Sequence, residues 1–156
     1  MTDKDKEMLL KSQQGELDGV EIYKMLAEVV HNPSDVKAFK ELAADEGRHA
    51  AVFKGYTGET LKPDKKQAFA VAILYSLLGK KIMYPLIAKF EYAAIPGYEE
   101  MMEDFPEVES VKDDEKKHGD TLTALLENGE YNDVPKFPVI CALIIAFMVI
   151  RLFKSK

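Results

Sequence analysis

The sequence predicts an all-α fold, a four-helix bundle followed by an extra apolar helix. Apolar residues recur every three or four positions along four stretches of the 156-residue chain, which is the spacing of one helix face. No stretch alternates apolar and polar residues long enough to predict a β-strand. Because 47% of the residues are hydrophobic, the chain can bury a core, and we expect one domain over residues 1–131 and a separate apolar segment over 132–156.

The first two helices are separated by Asn32-Pro33-Ser34, which stops the first helix and offers Ser34 as the N-cap of the second. We expect the second helix to end near Gly55 and Gly58. The inward residues of the first helix are Leu9, Gln13, Glu16, Val20, Tyr23, Ala27 and Val30. Those of the second helix are Phe39, Leu42, Glu46, His49 and Phe53.

The third helical stretch opens after Lys62-Pro63-Asp64 and is apolar from Ala68 to Ile95. Glycine and proline interrupt this stretch, so we expect one bent helix rather than a straight one. Phe105-Pro106 marks the boundary to the fourth helix, which closes at Asn128-Gly129. Its inward residues are Val108, Val111, Glu115, His118, Leu122 and Leu125.

The predicted fifth helix contains Val139–Ile150, twelve uncharged residues. A helix that spans a bilayer needs about 20 apolar residues, whereas runs of roughly 10 to 14 are more often buried or interfacial. Two alternatives therefore stay open, an oligomer-interface helix and a short membrane anchor over residues 138–153. Since Met1–Lys11 is charged, unlike a secretory signal, we expect a cytoplasmic protein, membrane-associated in the second case.

Charge and cysteine content exclude several classes of function. The net charge of −6 argues against a nucleic-acid partner, because binding phosphates requires a basic surface. The single cysteine, Cys141, excludes an internal disulfide, a four-thiolate zinc site and a rubredoxin-type iron centre.

Ionisable residues stand at inward positions where a bundle would normally place leucine, and the same types occur in both halves of the chain. The first half contains Glu16, Tyr23 and Asp45-Glu46-Gly47-Arg48-His49, and the second half contains Glu91, Tyr98 and Asp114-Glu115-Lys116-Lys117-His118. Burying a carboxylate is costly unless the group is paired, protonated or bound to a metal. The repeat therefore predicts a shared polar site inside the bundle.

The spacing of these residues predicts a dinuclear metal site. Glutamate and histidine three residues apart lie on one helix face and can ligate one ion. Two single glutamates and two Glu-x-x-His pairs form the ligand set of di-iron and di-manganese carboxylate bundles. Four carboxylates balance two divalent cations, and oxygen with imidazole ligands suits iron or manganese. The predicted metal-binding and catalytic residues are Glu16, Glu46, His49, Glu91, Glu115 and His118.

A third Glu-x-x-His pair, Glu28 with His31, is predicted not to bind metal. Glu28 follows Glu16 on the same helix at about 18 Å along the axis and about 120° around it. We expect His31 to be a cation in the last helical turn, favoured by the helix dipole. For the six selected residues the alternative is a solvated acidic face on ordinary helices, which the repeat disfavours.

Two further pairs of repeated residues accompany the predicted ligands. Tyr23 and Tyr98 either fill the core or donate a hydrogen bond to a ligand carboxylate. Asp45 and Asp114 each precede a ligand glutamate, and we expect each to accept the outer N–H of a ligand histidine.

From Gln13 to about Leu126 the sequence resembles the ferritin-like superfamily, and within it the rubrerythrin-type di-iron domains. The resemblance lies in the six predicted metal ligands and their order along the chain. The stretch from Tyr56 to Pro63 is similar to the rubrerythrin-like domain of membrane-bound ferritins. The resemblance implies a peroxidase or ferroxidase in which two iron ions are oxidised by hydrogen peroxide or dioxygen. Because only one apolar segment follows, we do not expect transport activity.

The chain departs from the family pattern in two places. Many rubrerythrins have a glutamate three residues after the third ligand, which exchanges with a histidine when iron is oxidised. Ala94 stands there in this chain, so we do not expect that iron movement. The four-cysteine rubredoxin domain is missing as well, so a peroxidase would need an external electron-donor protein.

Two other functions remain open, a non-catalytic iron-binding or iron-sensing module presented at a membrane, and a helical scaffold whose repeat is a relic. We also expect a homodimer. Ala68–Ile95 and the C-terminal segment are more apolar than a single four-helix core can cover. Exchange of a helix pair between two chains would be compatible with this arrangement.

Overall fold

The computed structural model describes residues 1–127, and these residues form five α-helices without a β-strand. The helices are α1 (Asp3–Val29), α2 (Pro33–Thr57), α3 (Lys65–Leu78), α4 (Lys80–Met101) and α5 (Val108–Glu127). The all-α prediction is confirmed, and the arrangement is consistent with a ferritin-like bundle. The predicted apolar helix in 132–156 lies outside the described residues.

The first two helices begin with capping interactions that the sequence only partly predicted. Thr2 and Asp5 form a reciprocal capping box at the start of α1. At α2 the N-cap is Asn32, whose Oδ1 accepts the Ser34 N–H at 2.9 Å. The prediction of Ser34 as N-cap was wrong because Pro33, which has no N–H to satisfy, occupies the first helical position and moves the cap back to Asn32.

The third helical stretch consists of two helices, not the single bent helix that we expected. Gly79 separates α3 from α4 with φ 72° and ψ 174°, a backbone conformation that essentially only glycine adopts. Pro85 and Pro96 lie inside α4 without ending it. The chain therefore turns at Gly79, so that α3 packs mainly on α1 and α4 mainly on α5.

The bundle has an apolar cluster on each side of the ionisable residues. Thr57 at the end of α2 donates a hydrogen bond to Gln13 of α1 at 2.6 Å, so α1 and α2 run antiparallel. One cluster includes Phe39, Tyr84 and Leu122. The other includes Leu9, Phe53 and Val111. On α1, α2, α4 and α5 the predicted ligands lie between the residues of these two clusters.

Among residues 1–127, no helix is both long enough and apolar enough to cross a membrane.

Candidate metal centre

The structure brings the six predicted ligands together in two overlapping groups. In each group, one ligand atom per residue lies within 4.8 Å of the others. The first group consists of Glu16, Glu46, His49 and Glu115, and the second consists of Glu46, Glu91, Glu115 and His118. Glu46 and Glu115 belong to both groups. This is the arrangement expected for two adjacent cations that share two carboxylates.

The two histidines predicted as ligands turn their Nδ1 atoms toward the carboxylates. The Nδ1 of His49 lies 3.2 Å from Glu16 Oε2 and 3.4 Å from Glu115 Oε1. The Nδ1 of His118 lies 3.1 Å from Glu46 Oε1 and 3.8 Å from Glu91 Oε2. Both rings are buried, and they stack at a centroid distance of 5.4 Å. The imidazoles therefore border the carboxylate cluster from α2 and α5.

The outer nitrogens of the histidines face aspartates from the opposite half of the chain. The Nε2 of His49 is hydrogen-bonded to Asp114 Oδ2 at 3.2 Å. The Nε2 of His118 lies 3.5 Å from Asp45 Oδ2. The expected aspartate contact is thus a hydrogen bond at His49 and a longer ion-pair contact at His118. Sequence spacing did not reveal that each histidine meets the aspartate of the other half.

The tyrosines also join the two halves. Tyr98 on α4 donates its hydroxyl hydrogen bond to Glu16 on α1, and Tyr23 on α1 donates to Glu91 on α4. Both of the roles left open are observed, since each hydroxyl donates to a predicted ligand. Both rings are also buried in the apolar clusters, so they combine packing with orientation of a carboxylate.

Burial makes the charged forms of the clustered carboxylates unfavourable. It raises the pKa of Glu46, and the nearby Glu16 raises it further. It also raises the pKa of Glu115 to about 8, with Glu91 and Glu16 contributing in the same direction. Burial opposes protonation of His49, but Glu115 and Glu16 raise its pKa to about 11. Without a metal, the cluster therefore retains protons that free side chains would release at neutral pH.

Buried polar atoms without hydrogen-bond partners test whether the cluster fits a metal. Among the described side chains such atoms occur only at predicted ligands, namely Glu46 Oε1, Glu115 Oε1 and both ring nitrogens of His118. Unpartnered buried polar atoms are costly, and metal coordination would satisfy the two carboxylate oxygens and the Nδ1 of His118. Four carboxylates and two imidazoles form a donor set suited to iron or manganese. The residues present therefore fit two divalent ions.

Gly19 is a residue of the centre that sequence reasoning missed. A Cβ atom at this position would lie 2.6 Å from Glu46 Oε2. The available signal was a glycine three residues after Glu16 in the middle of a helix, where glycine is unfavourable.

His31 is exposed and belongs to neither group of predicted ligands. Because α1 ends at Val29, His31 lies beyond the helix and not in its last turn, where we expected it.

These helices and this buried cluster define the class of ferritin-like carboxylate metal proteins. The family model for rubrerythrin matches residues 7–126, a range that includes all six predicted ligands. The chain therefore belongs to the rubrerythrin family, whose domain is a di-iron domain. Comparison with curated proteins and with solved structures finds no further match.

Proposed function

We propose that this protein is a di-iron oxidoreductase, a rubrerythrin-like peroxidase or ferroxidase in which hydrogen peroxide or dioxygen oxidises bound Fe(II). The observation that supports it most directly is the pair of four-residue groups that share Glu46 and Glu115. Membership of the rubrerythrin family favours iron, and manganese is the alternative occupant.

The overlap of the groups supports a proposed division of the residues between two ions. Glu46 and Glu115 would contact both ions. Glu16 with His49 would hold one ion, and Glu91 with His118 would hold the other. Bound iron would supply the electrons for reduction of peroxide and act as a Lewis acid toward it.

The protein's own side chains set the charge and the proton content of the centre. The four carboxylates carry the charge that neutralises two divalent ions. His49 must release the proton on Nδ1 when a metal binds there, because only the neutral nitrogen is a ligand. Its Nε2–H can keep its hydrogen bond to Asp114 throughout, which fixes the ring. Metal affinity is therefore expected to rise with pH.

Reduction of the oxidised centre requires electrons from elsewhere. The sequence has one cysteine, so it carries no four-cysteine rubredoxin domain. We therefore propose an external electron-donor protein as a partner.

An anaerobic Fe(II) titration followed by hydrogen peroxide tests the proposal. We expect two iron ions per chain and the absorption of an oxidised di-iron centre after peroxide. His118→Ala should lower the iron content, whereas His31→Ala, which removes the exposed histidine of the third Glu-x-x-His pair, should leave it unchanged. Iron binding well short of two per chain would contradict the proposal. Tight binding of two ions with negligible peroxide consumption in the presence of a reductant would indicate a binding or sensing module instead.

A further inference from the structure

Tyr92 and Gly119 bring α4 and α5 together directly beside two of the predicted ligands. Tyr92 follows Glu91 on α4, and Gly119 follows His118 on α5. The phenol end of the Tyr92 ring lies over Gly119, where an added Cβ atom would come within 2.4 Å of the ring Cζ atom. Real Cβ atoms essentially never approach so closely, so the ring lies in a space that only glycine leaves open.

Two polar contacts hold the ring in this place. The Tyr92 hydroxyl donates a hydrogen bond to Asp120 Oδ1 at 2.8 Å, and Lys116 donates to the other oxygen of the same carboxylate. Tyr92 is 38% exposed and both partners lie on the surface of α5, so each polar contact contributes little by itself. The stronger constraint is the fit of the ring against glycine, because this fit sets the distance between α4 and α5.

The repeat of the predicted ligands does not explain this glycine. The residues that correspond to Tyr92 and Gly119 in the first half of the chain are Leu17 and Ala50. Ala50 is buried on α2, so the helix beside His49 accommodates a Cβ atom at the same position of the repeat. Glycine inside a helix is unfavourable. The Tyr92 ring supplies the physical reason for a glycine on α5.

The contact lies between the two apolar clusters of the bundle. Ile87 of α4 and Leu122 of α5 belong to one cluster, and Tyr98 of α4 and Val111 of α5 belong to the other. Between them, both helices direct predicted ligands inward, and carboxylates and imidazoles do not provide apolar packing. The ring on glycine therefore supplies packing between α4 and α5 at the level of the candidate metal centre.

We propose that Tyr92 is a positioning residue that sets the distance between Glu91 and His118, the two residues that would hold one of the ions. The inference rests on the proposed function. The Tyr92 hydroxyl is bonded to Asp120, so Tyr92 acts through the spacing of the helices and not as a ligand. A site loosened by about 1 Å functions poorly, and loss of a contact that orients a metal ligand typically lowers affinity by about 10- to 100-fold.

Equilibrium dialysis of the metal-free, full-length protein against Mn(II), combined with electron paramagnetic resonance, tests the proposal. At a free Mn(II) concentration that just saturates wild type with two ions, we expect Tyr92→Ala to retain one ion per chain. This corresponds to a loss of about tenfold or more in affinity for the ion at Glu91 and His118. The spectrum of magnetically coupled ions should give way to that of isolated Mn(II).

Two matched variants separate positioning from general stability. Tyr92→Phe keeps the ring over Gly119 and loses only an exposed hydrogen bond, so it should bind two ions with the wild-type spectrum. Phe90→Ala removes the exposed ring on the other side of Glu91 in the sequence and should also bind two ions. Thermal unfolding of the metal-free variants measures stability independently of metal content.

Gly119→Ala tests the contact from the other helix. Its Cβ atom would displace the Tyr92 ring, so we expect loss of the same ion. In the double variant with Tyr92→Ala there is no ring to displace, and Gly119→Ala should lower the affinity no further. If Tyr92→Ala fails to fold by circular dichroism, Gly119→Ala carries the test.

Three results would overturn the proposal. Tyr92→Ala or Gly119→Ala could keep two ions while the metal-free melting temperature falls, which would be a purely structural effect. Both ions could be lost in parallel, which would mean that the ring supports the whole bundle. The losses could add in the double variant, which would mean that ring and glycine act separately. A wild-type chain that binds no metal would overturn the proposed function and the role of Tyr92 with it.

Discussion

At the scale of single residues, Gly19 shows how closely α1 approaches the Glu46 carboxylate. An added Cβ would lie 2.6 Å from Glu46 Oε2, a distance that real Cβ atoms do not tolerate. Gly15, one turn earlier on α1, has no atom within 4 Å of the same added Cβ. Both glycines therefore lie on α1, but only Gly19 lies against the predicted ligand Glu46.

Gly19→Ala should weaken metal binding, and Gly15→Ala should not. Each substitution should stabilise α1 by up to about 1 kcal/mol, because alanine has a higher helix propensity than glycine. At Gly19 the new methyl group displaces Glu46, which is predicted to bind both ions, so we expect a loss of metal affinity of about tenfold or more. Metal titration and thermal unfolding of the two variants measure both effects. Equal metal affinity in Gly19→Ala and wild type would show that metal binding by Glu46 does not require the space beside Gly19.

The raised pKa values predict that the metal-free protein loses stability as the pH rises. The pKa of Glu115 rises from its ordinary 4.5 to about 8 in the folded state. Its contribution to stability is complete below pH 4.5 and lost as the pH rises through 8. His49, whose pKa rises from 6.5 to about 11, acts in the same direction at higher pH.

We therefore expect the melting temperature of the metal-free protein to fall by at least about 5 °C between about pH 6 and about pH 8.5. Bound divalent ions neutralise the carboxylates, so the fall should shrink in the presence of Mn(II). Calorimetric melts with chelator and with Mn(II) make the comparison. A metal-free melting temperature that is constant or rises over this range would contradict the prediction.

At the scale of elements, the junction between α3 and α4 combines a glycine turn with a buried polar cluster. Gly79 donates its N–H to Tyr75 at 2.8 Å and accepts from Met83 at 3.1 Å. Beside it, Lys80 lies 3.7 Å from Asp35 on α2, and Tyr84 donates a hydrogen bond to the same carboxylate at 2.7 Å. The start of α4 is thus tied to the start of α2.

Gly79→Ala should destabilise the protein by about 1 to 3 kcal/mol, because alanine is strained at this φ and ψ. Gly97→Ala is the matched control, since Gly97 lies exposed inside α4 with no atom within 4 Å of an added Cβ. That change should be neutral or stabilising. Urea unfolding measures both free energies, and an unchanged value for Gly79→Ala would disprove the strain argument.

Helix positions could be predicted from the apolar period, but some boundaries could not. The inward residues Phe39, Glu46 and Phe53 are buried as their spacing indicated. The regular spacing of apolar residues continues across Gly79, however, and this spacing does not indicate that the backbone there has a positive φ angle. The period therefore predicted one bent helix where the chain forms two.

At the scale of the whole molecule, an apolar surface remains exposed on α3 and α4. Ile82, Leu86 and Phe90 follow one another at helical spacing on α4, and Phe90 is 68% exposed. Phe69 and Ile73 are exposed on α3. Apolar patches of this kind commonly mark contacts with a partner, and the homodimer stays a prediction for which this surface is the candidate interface.

We predict that Phe90→Glu lowers the dimer affinity of the full-length chain by at least about tenfold, because a charge would then be buried at the interface. Ala51→Glu adds the same charge at an exposed position of α2 and should leave the dimer unchanged. Sedimentation equilibrium measures both. A monomeric wild-type protein would refute the prediction.

The sequence predicts the residues of the candidate metal site, but it does not predict the contacts that support them. The six predicted ligands follow from a repeated spacing, which is a local property of each helix. The contacts of Asp114 with His49 and of Tyr98 with Glu16 join opposite halves of the chain, and they depend on which helices become neighbours. Spacing along one helix does not specify those neighbours.

The sharing of Glu46 and Glu115 has a consequence for a chain divided in two. A cut in the connection between α2 and α3 leaves Glu16, Glu46 and His49 in one fragment and the other three predicted ligands in the second. Neither fragment then contains a complete four-residue group. Fragment complementation should therefore depend on metal, and iron or manganese would govern the reassembly of two polypeptides.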